Sequence, residues 1–185
     1  GQSLIHGDLH TGSVCVRPDS TKVIDPEFAF YGPAGVDVGM IMANIIFAWA
    51  NGHATIDDNS FRAGYTERLE ETLTDVLQLF QDKWNRLWRD HATETVAHYD
   101  GVRKWYLEDV LRDSAGVTGL ELCRRIVGLA QVKDITSIED ETQRLRAERT
   151  CLTAAKSYIK EPDGMHTGRH YLEPLHRAAR KHELI

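Results

Sequence analysis

An aspartate follows a glycine in His6-Gly7-Asp8, a histidine recurs at His10, and seventeen residues after Asp8 a second acid opens Asp25-Pro26-Glu27. Acidic side chains brought together repel one another unless a positive charge sits between them, and a hard divalent cation held by oxygens supplies one. A glycine before a carboxylate permits the tight, irregular backbone that a loop needs to aim one side chain into a cleft. Asp8 is therefore a candidate proton acceptor. Asp25 and Glu27 stand two apart at what reads as the end of a strand, where an extended chain would point both the same way. Two such carboxylates make an oxygen site suited to Mg²⁺, which keeps several waters and bridges nucleotide phosphates.

Phosphoryl transfer of the protein-kinase kind uses such a set. Its catalytic loop, H-R-D-x-x-x-x-N, carries an acid that accepts the proton of the attacking hydroxyl, and a metal-holding acid follows further along the chain. Alone, His-Gly-Asp is more often a turn, and Asp-Pro-Glu a solvated strand end. The two together at this spacing, with a hairpin between them, favour the catalytic reading. A rival arrangement uses the alternation of His6, Asp8 and His10, which on a regular strand would share a face and offer the zinc or iron site of a metallohydrolase. Gly7 and Gly12 weaken a strand there, and the other histidines form no second ligand cluster. A third reading is a helical module that keeps these residues for stability and catalyses nothing.

Far downstream the chain reads Leu120-Glu-Leu-Cys-Arg-Arg-Ile-Val-Gly-Leu-Ala130. Arg124 and Arg125 stand among apolar neighbours, and a buried guanidinium is costly unless it meets an anion. Adjacent helical residues point about 100° apart, so the two cannot simply stack on one target. The plain alternative is one surface arginine and one structural ion pair, with Glu121 three or four residues away as the partner.

The elements that must position these residues follow from the pattern. Val14–Arg17 and 22–25 read as strands around a Pro18-Asp19-Ser20-Thr21 turn. Everything after Pro33 reads as helical: a buried helix over about 35–50 ended by Asn51-Gly52, a long amphipathic helix over about 60–91, and helices near 99–113, 115–132, 138–161 and 167–182, with Pro162-Asp163-Gly164 as the clearest late break. The expected architecture is mainly α with a small β-hairpin, residues 1–33 forming the loops and hairpin and 34–185 the helical body.

At 185 residues and 42% hydrophobic, the chain has an ordinary globular composition and is long enough for one sizeable core. A net charge of −6 argues against a nucleic-acid binder that works by bulk basicity and leaves room for a local basic pocket. The most apolar run, 38–50, has the length of a buried helix and is too short for a bilayer. Three widely spaced cysteines, Cys15, Cys123 and Cys151, form no C-x-x-C pair and fit a reducing, cytoplasmic setting.

His-Gly-Asp-Leu-His-Thr-Gly-Ser at 6–13, followed by Val-Ile-Asp-Pro-Glu-Phe-Ala-Phe-Tyr-Gly-Pro at 23–33, resembles the S-methyl-5-thioribose kinases, of the aminoglycoside-phosphotransferase-like branch of the protein-kinase fold. Ser13 stands where that branch usually has asparagine, and the serine within His-Thr-Gly-Ser is what points to the methylthioribose enzymes. The resemblance implies ATP-dependent phosphorylation of the anomeric hydroxyl of methylthioribose, in methionine salvage. It implies Asp8 as catalytic acid/base, Asp25 and Glu27 as ligands of Mg²⁺ on ATP, and Arg124 and Arg125 on the substrate side. His6 and Asp37 become supports of the loop, Asp37 as acceptor of backbone hydrogen bonds and also an ordinary first-turn acid. Ser13 and His10 are candidates for a metal or phosphate contact, and Gln131 replaces the family's usual histidine. The likeness covers a C-terminal lobe only. A nucleotide-covering loop, an ATP-phosphate lysine and the helices before the loop are not in this sequence, so the 185 residues alone are expected to be inactive and some apolar faces to lack partners. The family further implies a homodimer and no nucleic-acid or membrane partner.

Overall fold

A computed structural model describes residues 2–185. Four short strands open the chain: β1 (Gln2–Ile5), β2 (Val14–Arg17), β3 (Ser20–Val23) and β4 (Phe30–Pro33). They form two separate antiparallel ribbons. β2 pairs with β3 from Val14 opposite Val23 to Arg17 opposite Ser20. β1 pairs with β4 from Gln2 opposite Pro33 to Ile5 opposite Phe30, closing the segment that contains Asp8, Asp25 and Glu27 into one loop-bearing unit. The hairpin turn is thus Pro18-Asp19 alone, and β3 starts two residues earlier than the sequence suggested. The strand ladder claims Ser20 and Thr21, which composition alone assigns to a turn. The β1/β4 ribbon was not foreseen.

The rest is helical: α1 (Gly35–Thr55), α2 (Asn59–His91), α3 (Asp100–Val127), α4 (Lys133–Thr136), α5 (Glu141–Lys160) and α6 (Gly168–Lys181). The core forms around α1, whose Met42, Ala43, Ile46, Phe47, Trp49 and Ala50 are buried among side chains of α2, α3, α5 and α6. No helix among the described residues is long and apolar enough to cross a membrane.

The helix expected to reach 132 ends at Val127, a separate short α4 follows, and α5 starts at Glu141 rather than 138; two further departures have a tertiary reason. Asn51-Gly52 does not end α1, which runs on to Thr55. The Asn51 amide donates to the Asp134 carbonyl at 2.6 Å, and a Cβ on Gly52 would lie 2.7 Å from the Tyr65 ring, so both residues serve packing. Residues 113–115 do not break α3 either. The small residues there accommodate α1: a Cβ on Gly35 would lie 2.6 Å from the Val110 carbonyl oxygen, and one on Gly39 would lie 2.6 Å from that of Ser114. The Thr118 hydroxyl donates to the carbonyls of Gly39 at 3.2 Å and Ser114 at 2.8 Å. Backbones this close fix the end of α1 that follows β4 against the half of α3 that carries Glu121, Arg124 and Arg125.

Candidate functional site

β1 ends at Ile5, and the next residues leave the extended conformation because Gly7 takes φ +84°. A side chain at that φ is strained, and a Cβ there would run into the Phe28 carbonyl oxygen. The chain is held in this bend from below by the first turn of α1. The Asp37 carboxylate accepts the backbone N–H of His6 at 2.6 Å and of Gly7 at 3.0 Å, one oxygen to each.

Three further contacts shape the loop around Asp8. His6 Nε2 lies 2.8 Å from the Ile24 carbonyl oxygen, which makes it the donor and leaves Nδ1 to accept the Asp8 N–H at 3.4 Å. Ser13 is buried; its hydroxyl donates to the Asp8 carbonyl at 3.2 Å and accepts the His10 N–H at 3.3 Å. The Ile24 N–H donates to the Ser13 carbonyl at 3.0 Å, carrying the β2/β3 pairing one step further and tying the start of the hairpin to its end. As folded, the Ser13 hydroxyl staples the loop.

This geometry overturns the metallohydrolase arrangement. His6, Asp8 and His10 do not lie on a strand, and both ring nitrogens of His6 are occupied. Among the described residues no group of three or more His, Cys, Asp or Glu side chains could hold a metal. His10 Nε2 stands 3.9 Å from Asp8 Oδ2, an ion-pair distance if the imidazole is protonated.

Asp25 and Glu27 are exposed, and the expectation of a shared face on an extended chain is corrected. β3 ends at Val23, Asp25 sits in the left-handed region at φ 61° and ψ 51°, and Pro26–Phe28 form a 3₁₀ turn with Glu27 inside it. Asp25 is one of two non-glycine residues with positive φ among those described. Aspartate tolerates this conformation better than most residues, and strain of this kind gathers at ligand sites. Mg²⁺ is commonly held by one or two carboxylates with phosphates and water completing the shell, so two exposed acids after a strained turn fit such an ion.

The arginine pair reaches the same region from α3. A cleft of about 930 Å³ is lined by Asp8 and Gly7 on one side, by Glu121, Arg124 and Arg125 on another, and by an apolar wall that includes Phe28 and Met40. Asp25 and Glu27 do not line it. Glu121 is the residue whose part the sequence understated. Its side chain is 5% exposed; Arg124 grips it with Nε at 2.7 Å and Nη2 at 2.9 Å, and Arg125 Nε donates to the same carboxylate at 2.7 Å. Burial opposes the negative charge, but these hydrogen bonds outweigh it and hold the carboxyl below the usual carboxylate range. Arg125 Nη2 then lies 3.7 Å from Asp8 Oδ1. Asp8 thus has a guanidinium close by. Gln131 lies behind Arg125, in a smaller cavity of about 380 Å³ with Arg144 and Glu148. The apolar wall and the Asp8–Arg125 approach were missed because both depend on the pairing of α1 with α3, of which the only trace in the sequence is the Gly35/Gly39 spacing.

Comparison with known proteins finds similar sequences among phosphotransferases. The sequence model of the phosphotransferase enzyme family matches residues 2–80. Methylthioribose kinase 1 of Oryza sativa subsp. japonica is 40% identical over 170 residues, which cover 86% of this chain and 40% of that protein. Methylthioribose kinase of Exiguobacterium sibiricum is 41% identical over 160 residues, covering 86% of this chain and 39% of the relative. Methylthioribose kinase of Geobacillus kaustophilus is 41% identical over 164 residues, covering 85% and 38%. The chain therefore spans about two fifths of the length of these relatives.

Proposed function

We propose that the chain, which is similar to the methylthioribose kinases and matches the phosphotransferase enzyme family over residues 2–80, forms the catalytic-loop lobe of an ATP-dependent sugar kinase acting in methionine salvage. The observation that carries the proposal is the approach of Asp8 to Arg125 at 3.7 Å in a cleft that also has an apolar wall. A carboxylate and a guanidinium suit the hydroxyl groups of a small sugar, and Phe28 and Met40 suit a thioether substituent. Methylthioribose has both.

In this reading Asp8 accepts the proton of the anomeric hydroxyl as its oxygen attacks the γ-phosphorus of ATP and the bond to ADP breaks. Asp37, held against the His6 and Gly7 amides, fixes the backbone from which Asp8 projects. Arg124 and Arg125 bind and orient the sugar. Asp25 and Glu27 hold Mg²⁺, which when bound neutralises charge on the phosphates. A second lobe supplies the nucleotide cover and the ATP-phosphate lysine. The exposed apolar side chains of residues 1–33, among them Leu4, Phe28, Phe30 and Tyr31, are surface for such a lobe to bury. The complete enzyme acts in the cytoplasm as a homodimer.

The test is an acceptor panel. The complete protein, incubated with Mg-ATP and methylthioribose, ribose, other small sugars and aminoglycosides, is followed by coupled ADP release. Methylthioribose is expected to give the highest kcat/KM, with phosphate on the anomeric oxygen. Preference for an aminoglycoside, or ATP turnover independent of any sugar, would contradict the proposal.

A further inference from the structure

Arg124 and Arg125 are neighbours on α3, and neighbouring helical side chains diverge by about 100°. Both nevertheless direct Nε at one carboxylate. Glu121 lies one turn back, three residues from one and four from the other, and is the position from which a single side chain can meet both. Its carboxylate is almost fully removed from solvent, yet it accepts three hydrogen bonds of 2.7, 2.9 and 2.7 Å from the two guanidinia. The remaining nitrogens are not equivalent. Arg124 spends Nε and Nη2 on Glu121, whereas Arg125 spends Nε alone and keeps its Nη groups for the cleft, with Nη2 3.7 Å from Asp8 and Nη1 3.4 Å from the Ala130 carbonyl. One buried anion thus converts two divergent flexible side chains into a fixed fork facing Asp8.

Building on the kinase reading, we propose that Glu121 is the positioning residue for the acceptor. It touches no reacting atom but sets the distance between the Arg125 guanidinium and the Asp8 carboxylate, and hence where a sugar hydroxyl is held. Glutamine at this position would keep one acceptor oxygen, lose the charge, and turn an N–H₂ group toward a guanidinium that is itself only a donor. Aspartate would keep the charge on a stem one methylene shorter and could hold one guanidinium but not both.

The experiment measures steady-state kinetics of the complete protein carrying Glu121→Gln, Glu121→Asp, Arg125→Ala and the Glu121→Gln/Arg125→Ala pair, together with hydrogen exchange at the arginine Nε–H groups of the parent by ¹⁵N NMR. The Arg124 and Arg125 signals are assigned by single Arg→Lys variants, which lack Nε. For Glu121→Gln the expected loss is roughly 10- to 100-fold in acceptor kcat/KM, the scale of a misplaced reacting group, with the ATP KM nearly unchanged. Glu121→Asp should fall between that variant and the parent. In the Arg125→Ala background, Glu121→Gln should cost clearly less than it does in the parent, since only the Arg124 contact remains to be lost and residues that act as a unit are not additive. Both Nε–H groups should exchange slowly in the parent, an observation that stands even if a variant fails to fold. Independent, multiplying effects, or ATP and acceptor KM values that rise together, would overturn the proposal, as would fast exchange at both Nε–H groups. If the parent turns over no sugar, the kinase reading fails and takes the acceptor role of Glu121 with it; slow exchange with additive kinetics in an active parent fails Glu121 alone.

Discussion

The backbone leading to Asp8 is held where no regular element would put it. Two features supply that constraint: Gly7 at φ +84° beneath the Phe28 carbonyl, and the Asp37 carboxylate bridging two consecutive amides. Gly7→Ala should therefore destabilise the protein by about 1–3 kcal/mol, the usual toll of a strained backbone position, and lower kcat further by displacing Asp8; chemical denaturation alongside turnover would check both. Asp37→Ala leaves two backbone donors without their acceptor and should cost about 1–3 kcal/mol with a marked fall in kcat, whereas an unchanged kcat would show that the loop holds itself. At this scale the loop supports were legible in the sequence: Asp37 accepts the loop's backbone hydrogen bonds and His6 braces it against Ile24, as expected. The hydrogen bonds of Ser13 and the left-handed turn at Asp25 were not legible, since they depend on backbone angles that neighbouring residues impose.

At the scale of elements, the contact between α1 and α3 positions the two halves of the cleft. Gly35 and Gly39 meet Val110, Ser114 and Val117 with no room for a Cβ. Gly39→Val should push the helices apart, with an overpacking penalty of about 1–3 kcal/mol, and should raise the acceptor KM because Arg125 moves relative to Asp8. A variant with parental melting temperature and parental KM would show that α3 is placed by other contacts. Apart from α4, helix existence was readable from apolar spacing, and so was the start of α2 to within one residue, at the turn where Asp58 accepts the Phe61 N–H at 2.8 Å. The C-terminal end of α1 and the continuity of α3 depart from expectation for one reason. Glycine, asparagine and serine signal a helix stop locally, but between packed helices they signal close approach.

Over the whole molecule, the junction of α1, α2 and α6 holds a second group of titratable side chains, remote in sequence from the cleft residues. Glu70 accepts from Trp49 Nε1 at 2.8 Å and pairs with His176 Nε2 at 2.7 Å, while His53 stacks its ring edge-on against Trp49 with centroids 4.2 Å apart. Burial, reinforced by the Arg62 charge, lowers the His53 pKa from 6.5 to about 4. A histidine whose folded pKa is depressed adds stability above its unfolded pKa and loses it as pH falls. Stability should accordingly decline between pH 6.5 and about 4 as the unfolded chain takes up the proton first. His53→Gln should flatten that decline in urea titrations across the range, and an unaltered slope would exclude His53 as its source.

Single-turnover kinetics of Asp8→Asn test most directly the proposed role of Asp8 as proton acceptor of phosphoryl transfer. The variant, in the complete protein with Mg-ATP and saturating methylthioribose, changes little volume and leaves Asp25, Glu27 and the arginine fork in place. The predicted result is nucleotide affinity close to the parent and phosphate transfer slowed by roughly 10² to 10⁴, the usual contribution of a positioned base. Transfer within a factor of about two of the parent, where general-base catalysis predicts orders of magnitude, would contradict it.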